Sequence, residues 1–302
     1  MRHSGIAIVV ASALALAACG SGGSTSDSGT KTTVPVSRKI VLTSIMTTAA
    51  AKTARIDLEV SISGGDSDGS ARVTGAGVVD FATGDSAITT NLEGVIGSVV
   101  GDGYQTRTVD GVVYVQIPAG LRGVPVPEGT RWISIDASQF GGGSARMSPF
   151  DLSNQADPTK ALAYLEKVSN DVRAVGSDSI RGADTTHYHA TIDLAKTVDG
   201  AHVPPGWRDT MKQFAGLIGT IPADVWIDAD GLVRRERIEI DFGQILHKLG
   251  APGTTTDHSV MTETLDYYDF GTPVNVEAPP ADQVAPFPFA GGPGSLEVDG
   301  NA

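Results

Sequence analysis

Cysteine is all but missing from this chain: Cys19 is the single one in 302 residues. No intramolecular disulfide can form, so the fold must stand on its hydrophobic core. Positive charge is also scarce, with 22 Lys and Arg against 35 Asp and Glu and a formal net charge of −13. Removing residues 1–18, which contain Arg2, moves that charge to −14. An acidic balance of this kind argues against nucleic acid as a partner and against electrostatic binding to anionic headgroups. After the first hydrophobic run no later segment is long and apolar enough to span a bilayer. The glycine-rich Gly141-Gly142-Gly143-Ser144 lacks the Lys-Ser/Thr of a phosphate-cradling loop. There is no Gly-x-Ser-x-Gly elbow, which leaves a serine hydrolase without its nucleophile turn. No cofactor is implied, and the expectation is a non-enzymatic protein.

What is present begins at the N-terminus. Arg2 supplies a short positive region, Ile6 to Ala15 is an uncharged apolar run, and Leu16-Ala17-Ala18-Cys19 closes it with small residues before the cysteine. That is the layout of a secretory signal peptide with a bacterial lipoprotein cleavage site. Residues 1–18 are expected to be removed, and Cys19 to carry a diacylglycerol that anchors the chain at the extracytoplasmic face of the cell membrane. The alternatives are an ordinary transmembrane anchor or a buried free thiol, and the run is shorter than the roughly 20 apolar residues an anchor needs. Gly20 to Pro35 is rich in Gly, Ser, Thr and Asp, and residues 19–37 read as lipidated cysteine plus flexible tether. Sixteen such residues reach about 20–25 Å r.m.s..

The domain proper is expected over residues 38–278, followed by a Pro/Gly-rich disordered tail over 279–302. Leu42, Ile45, Met46 and Ala49 recur at helical spacing and predict a helix near 38–52. The period then changes to two: Ile56, Leu58, Val60 and Ile62 alternate with Asp57, Glu59 and Ser61, giving a strand with one wet face. Strands are expected over 71–81 and 86–92, with Gly75 and Gly77 marking a bend or room for something lying across the sheet. A hairpin over 104–117 turns at Asp110-Gly111, and a strand follows at 131–136. Asp157-Pro158 caps a second helix. Strands near 172–175 and 185–194 precede a third helix from Pro205, with Trp207, Met211, Phe214 and Ile218 on one face. A hairpin over 223–242 and a strand over 260–270 complete a sheet of eight or more mostly hairpin-connected strands. This is an α+β architecture with helices on one face of an antiparallel sheet.

Three constellations suggest chemistry. His187 and His189 share a strand face with Thr191 and Asp193; a two-ligand pair with no third group in the motif is weak for zinc, and the wet side of a sheet explains it. Asp224, Asp228 and Asp230 resemble a calcium loop, but Gly231 comes too early and strand continues on both sides, so Asp228-Ala229-Asp230-Gly231 is a hairpin turn. Arg234, Arg235 and Arg237 form a small basic patch. Cross-strand pairing with acids is one reading and a headgroup contact the other.

Three further stretches carry a family resemblance: Asp157-Pro158-Thr159 with Leu162 and Leu165, leading to Val175-Gly176 and Gly182-Ala183-Asp184-Thr185-Thr186-His187-Tyr188; Val225 to Arg234; and Tyr268-Asp269-Phe270-Gly271-Thr272-Pro273-Val274 with Pro279. With the cysteine motif in front, the chain resembles actinobacterial envelope lipoproteins of the LppX/LprG kind, in the fold superfamily of LolA and LolB. The resemblance implies a strongly curved antiparallel sheet, an unclosed half-barrel, with amphipathic helices packed in its concave mouth. It also implies an apolar space between sheet and helices that holds a hydrophobic ligand such as the acyl chains of lipids, lipoglycans or lipidated molecules, for transport or presentation. On strand alternation Leu58, Val60, Val73, Val79, Val113, Val115, Ile238, Ile240 and Phe242 fall on that side, and Trp207, Met211 and Phe214 face it from the helix; the other reading is that they fill a solid core. The alternative function is a scaffold or sensor lipoprotein that binds an envelope protein partner through the longer segments 93–103, 121–129 and 243–259.

Overall fold

The computed structural model describes residues 36–63, 71–93, 97, 101, 103–121, 126–136, 171–196, 205–241 and 259–287. Helix α1 covers Val36–Ala50. Its last turn tightens: Ala51 and Lys52 donate N–H to the carbonyls of Thr48 and Ala49, and Lys52 takes a left-handed φ of 68°. Bonds of this kind satisfy carbonyls that a helix end otherwise leaves free. The chain passes directly into β1, Thr53–Ser63. There Ala54, Ile56, Leu58 and Val60 are buried while Arg55 and Glu59 are exposed, so the alternation in sequence becomes two faces of one strand.

Eleven further strands follow: β2 Ala71–Asp80, β3 Ser86–Glu93, β4 Gly103–Val109, β5 Val112–Gln116, β6 Trp132–Asp136, β7 Arg173–Ile180, β8 Ala183–Asp193, β9 Thr220–Asp228, β10 Val233–Asp241, β11 Val260–Tyr268 and β12 Val284–Pro286. Helix α2, Pro205–Ile218, lies between β8 and β9. All twelve strands form one sheet in the order β12-β6-β5-β4-β3-β2-β1-β11-β10-β9-β8-β7. The sheet is curved and does not close, since β7 and β12 each pair on one side alone. The α+β half-barrel expected from the sequence is therefore the fold. β1 holds it together by pairing with both β2 and β11, strands from opposite ends of the chain.

Two hairpins turn in two residues with both in the left-handed region, Asp110-Gly111 (φ 51° and 79°) and Arg181-Gly182 (φ 51° and 81°). Such turns match the twist of antiparallel strands. The second was not anticipated. The strand is expected only near 172–175, yet polar Ser177, Asp178 and Ser179 extend it, pairing with β8 residue by residue down to Ile180–Ala183. Pairing of the backbone overrode weak strand propensity.

The end of the fold also differs from expectation. Past Ala278 a single 310 turn, Ala281–Gln283, leads into β12, which pairs with β6 in parallel, so the sheet is mixed rather than wholly antiparallel. Pro286 is tolerated there because β12 is an edge strand. The expected helix at Asp157 and the segment 243–258 lie outside the described residues.

Both helices cover the same face of the sheet. Val41 and Ile45 of α1 are buried against Val172, Tyr188 and Ile227. Ala215 of α2 is buried with Leu58, Val60, Val73, Leu194, Ile221, Ile240 and Met261, and Leu217 and Ile218 pack beside them. Helix α2 ends at Gly219 (φ 80°), whose N–H reaches the Ala215 carbonyl at 2.7 Å, a left-handed glycine cap. A third cluster, Ala54, Ile56, Val233 and Tyr267, lies at the other end of the same face.

Candidate functional site

Register places side chains in rows across the sheet. On the helix-bearing side one row runs Tyr188, Val225, Glu236, Leu265, Leu58, Gly75, Thr90 and Tyr104. The next runs Ala190, Ala223, Ile238, Glu263, Val60, Val73 and Leu92. A third passes through Tyr267, Ile56, Gly77, Ile88, Thr106, Val115 and Ile133. The result is an apolar surface crossing most of the strands, interrupted by two carboxyl groups.

Leu58, Val60, Val73 and Ile240 are fully buried in this surface, with Ile238 partly buried beside them. Val79 is partly buried against the third cluster. Val113 and Val115 share the face by register, and the whole of β5 is half-buried. Half-burial recurs along the face, at Ile62, Leu92, Ile192, Ile238 and Leu265. Apolar groups in that state are neither packed on all sides nor out in bulk water. The side chains of Trp207, Met211 and Phe214 lie outside the described residues although their helix is α2, and Phe242 and Cys19 lie outside them altogether.

Gly75 and Gly77 belong to this face, and a Cβ on Gly77 would stand 2.1 Å from the Ala87 carbonyl oxygen. The glycine is required by the close approach of the β3 backbone, a third role beside the two expected.

Sequence reasoning passed over Glu236 and Glu263. The signal was there: if Arg235, Arg237 and Glu239 share the wet side, Glu236 must face inward with Ile238 and Ile240. Tyr267 donates its hydroxyl to Glu236 at 3.3 Å. Burial pushes the Glu236 carboxyl up to about 8; the Tyr267 bond opposes this and the nearby Glu263 charge adds to it. Burial raises Glu263 as well. It also holds the Tyr267 hydroxyl well above its ordinary range, with the Glu236 charge and hydrogen bond contributing.

With this geometry in hand the chain can be set beside known proteins. No family model matches it. An uncharacterized 31.2 kDa protein of Streptomyces griseus is 28% identical over 167 residues, covering 53% of this chain and 49% of that protein. The chain thus spans about half the length of the curated relative it matches. Among solved structures it is similar to the lipoprotein LppX of Mycobacterium tuberculosis, at 18% identity over 78% of this chain and 98% of that one, with a TM-score of 0.37. It is also similar to LprF of Mycobacterium bovis, at 14% identity over 82% and 98%, with a TM-score of 0.40.

The opposite face is polar and extensively paired. Arg235 holds Asp266 in a bidentate ion pair (2.5 and 2.8 Å), and Arg181, from the β7–β8 turn, reaches Asp57 and Asp266 while lying 3.9 Å over the Tyr268 ring. Arg234 bonds Asp228 and Arg237 bonds Glu239. All three arginines of the basic patch are thus committed to acids, two of them across strands. His187 and His189 both contact Asp224 Oδ1, at 2.8 and 2.9 Å, and His187 stacks on Trp226 with centroids 4.2 Å apart. Asp228 Oδ1 accepts the N–H groups of Asp230 and Leu232, which makes it the organiser of a hairpin turn. A cavity of about 520 Å³ opens on this side, lined by Asp57, Thr74, Asn91, Arg181, Arg235 and Asp266 among others. Its polar walls make it the wrong place for an acyl chain, which needs a dry lining.

Proposed function

We propose that this chain is an envelope lipoprotein, held at the membrane by a diacylglycerol on Cys19, that binds a hydrophobic acyl-bearing ligand between the sheet and its helices. One observation carries the reading: an apolar surface runs across the sheet on the side of α1 and α2, buried in places and half-buried at Ile62, Leu92, Ile192, Ile238 and Leu265. Removing apolar carbon from water contributes about 0.8 kcal/mol per CH₂, so such a surface favours a chain lying along it over water. The absence of a recognisable catalytic motif in the sequence fits a carrier or presenter better than an enzyme. The acyl groups on Cys19 and the tether over 20–35 would keep the domain within reach of its lipid source.

Lipid extraction and native mass spectrometry on the full chain, purified from membranes of a host that processes lipoproteins, test this. The expected result is a reproducible acyl lipid at near one per protein. Protein free of lipid that also takes up none from vesicles overturns the reading. Cys19→Ala is expected to move the protein from the membrane fraction to the soluble one; unchanged fractionation overturns the anchor.

A further inference from the structure

The helix-bearing face carries two carboxyl groups, and no Lys or Arg of the described strands joins them there. Glu236 on β10 is opposite Leu265, and Glu263 on β11 is opposite Ile238, so the two are diagonal neighbours in adjacent rows. Around them stand Leu58, Val60, Val225 and Tyr267. Tyr267 satisfies one Glu236 oxygen. The other Glu236 oxygen and both Glu263 oxygens have no hydrogen-bond partner among the described residues, yet they are not sealed in as Ser44 Oγ is. Both residues are half-buried, so these unpartnered oxygens still face open space on the helix-bearing side. Leaving such groups unmatched is costly. In these surroundings Glu236 keeps its proton near neutrality, burial moves Glu263 in the same direction, and a protonated carboxyl both donates and accepts.

We infer that Glu236, Glu263 and Tyr267 form the polar anchor of the ligand site proposed above, and that its ligand is a neutral amphiphile whose hydroxyl or amide group sits among them. This rests on the lipid-binding reading above and narrows it. A hydroxyl meets each carboxyl with one hydrogen bond given and one received. An anionic headgroup placed at the same depth loses its hydration with no cation of the described strands to replace it, and so is disfavoured.

The test uses delipidated full-length protein at pH 7, titrated with monopalmitoylglycerol, palmitate and hexadecylamine. The neutral glyceride is expected to bind at least about tenfold more tightly than palmitate, the scale of leaving a buried group unmatched. Glu236→Gln and Glu263→Gln, which keep both donor and acceptor, are expected to preserve the preference, whereas Glu236→Leu and Glu263→Leu, which remove the polar partners, are expected to weaken glyceride binding and narrow the gap. Equal binding of glyceride and palmitate by the parent protein, or tightest binding of the amine, overturns the anchor and leaves the ligand site standing. Binding of none of the three overturns the lipid-binding reading itself, and the anchor with it.

Discussion

Glu236 holds its proton in the folded chain over a pH range in which the unfolded chain gives it up. Its carboxyl moves from 4.5 to about 8 on folding. Between those values the folded state binds the extra proton, so its contribution to stability is greatest below 4.5, falls as pH rises through the window, and levels off above about 8. At about 1.4 kcal/mol per unit the loss amounts to a few kcal/mol. Glu263, raised by the same burial, acts in the same direction. Urea unfolding of the parent protein from pH 4 to 9 is expected to show this decline, and Glu236→Gln to flatten it and exceed the parent at pH 9. A parallel decline in the variant would place the effect elsewhere. Gly77 makes a different residue-level demand. A Cβ there meets the Ala87 carbonyl at 2.1 Å, whereas one on Gly176 meets nothing within 4 Å. Gly77→Ala is expected to cost about 1–3 kcal/mol in urea unfolding and Gly176→Ala far less, since overpacking acts at the first site alone. Equal costs would refute the steric account.

Among the elements, α1 is tied to the sheet by more than apolar contact. The Val233 N–H, at the irregular start of β10, donates to Thr48 Oγ1 at 2.9 Å in a buried setting. Thr48→Val keeps the shape and orphans that amide, so it is expected to lower stability by about 1–3 kcal/mol with an unchanged urea slope. Thr48→Ser, which retains the acceptor, should recover most of the loss; failure to do so would make packing the cause. The same junction shows what could be read beforehand. α1, β1, the Asp110-Gly111 hairpin and the inward set Leu58, Val60, Val73 and Ile240 follow from period and turn chemistry, which are local. The long β7, the Arg181-Gly182 turn and the Thr48–Val233 bond are not local. They exist because a partner strand or helix arrives from elsewhere in the chain. Glu236 is an intermediate case, since its inward direction is implied by alternation but nothing about an isolated Glu in the sequence singles it out.

For the molecule as a whole, an unclosed sheet has two edges, and an exposed edge is a template for association. The two ends are managed differently. At one, β7 is short of apolar side chains, carries Arg173 and Asp178, and has a register irregularity between Ala174 and Gly176, each of which discourages pairing. At the other, β6 is covered by β12. The cover is specific: Arg131 N–H bonds the Gln283 carbonyl at 2.9 Å, Phe287 N–H bonds Ser134 O at 2.8 Å, and Ala285 is buried. Composition marked this stretch as tail because Pro and Ala dominate it, yet three residues of strand suffice once an edge is waiting. Ending the chain after Ala278 should therefore bare β6 rather than trim a passive extension. The expected outcome is a lower urea midpoint together with concentration-dependent association, followed by sedimentation velocity of a secreted form lacking the lipid anchor. A truncated protein that stays monomeric with its midpoint intact would show that β6 needs no cover, and that the parallel strand adds nothing to the stability of the half-barrel.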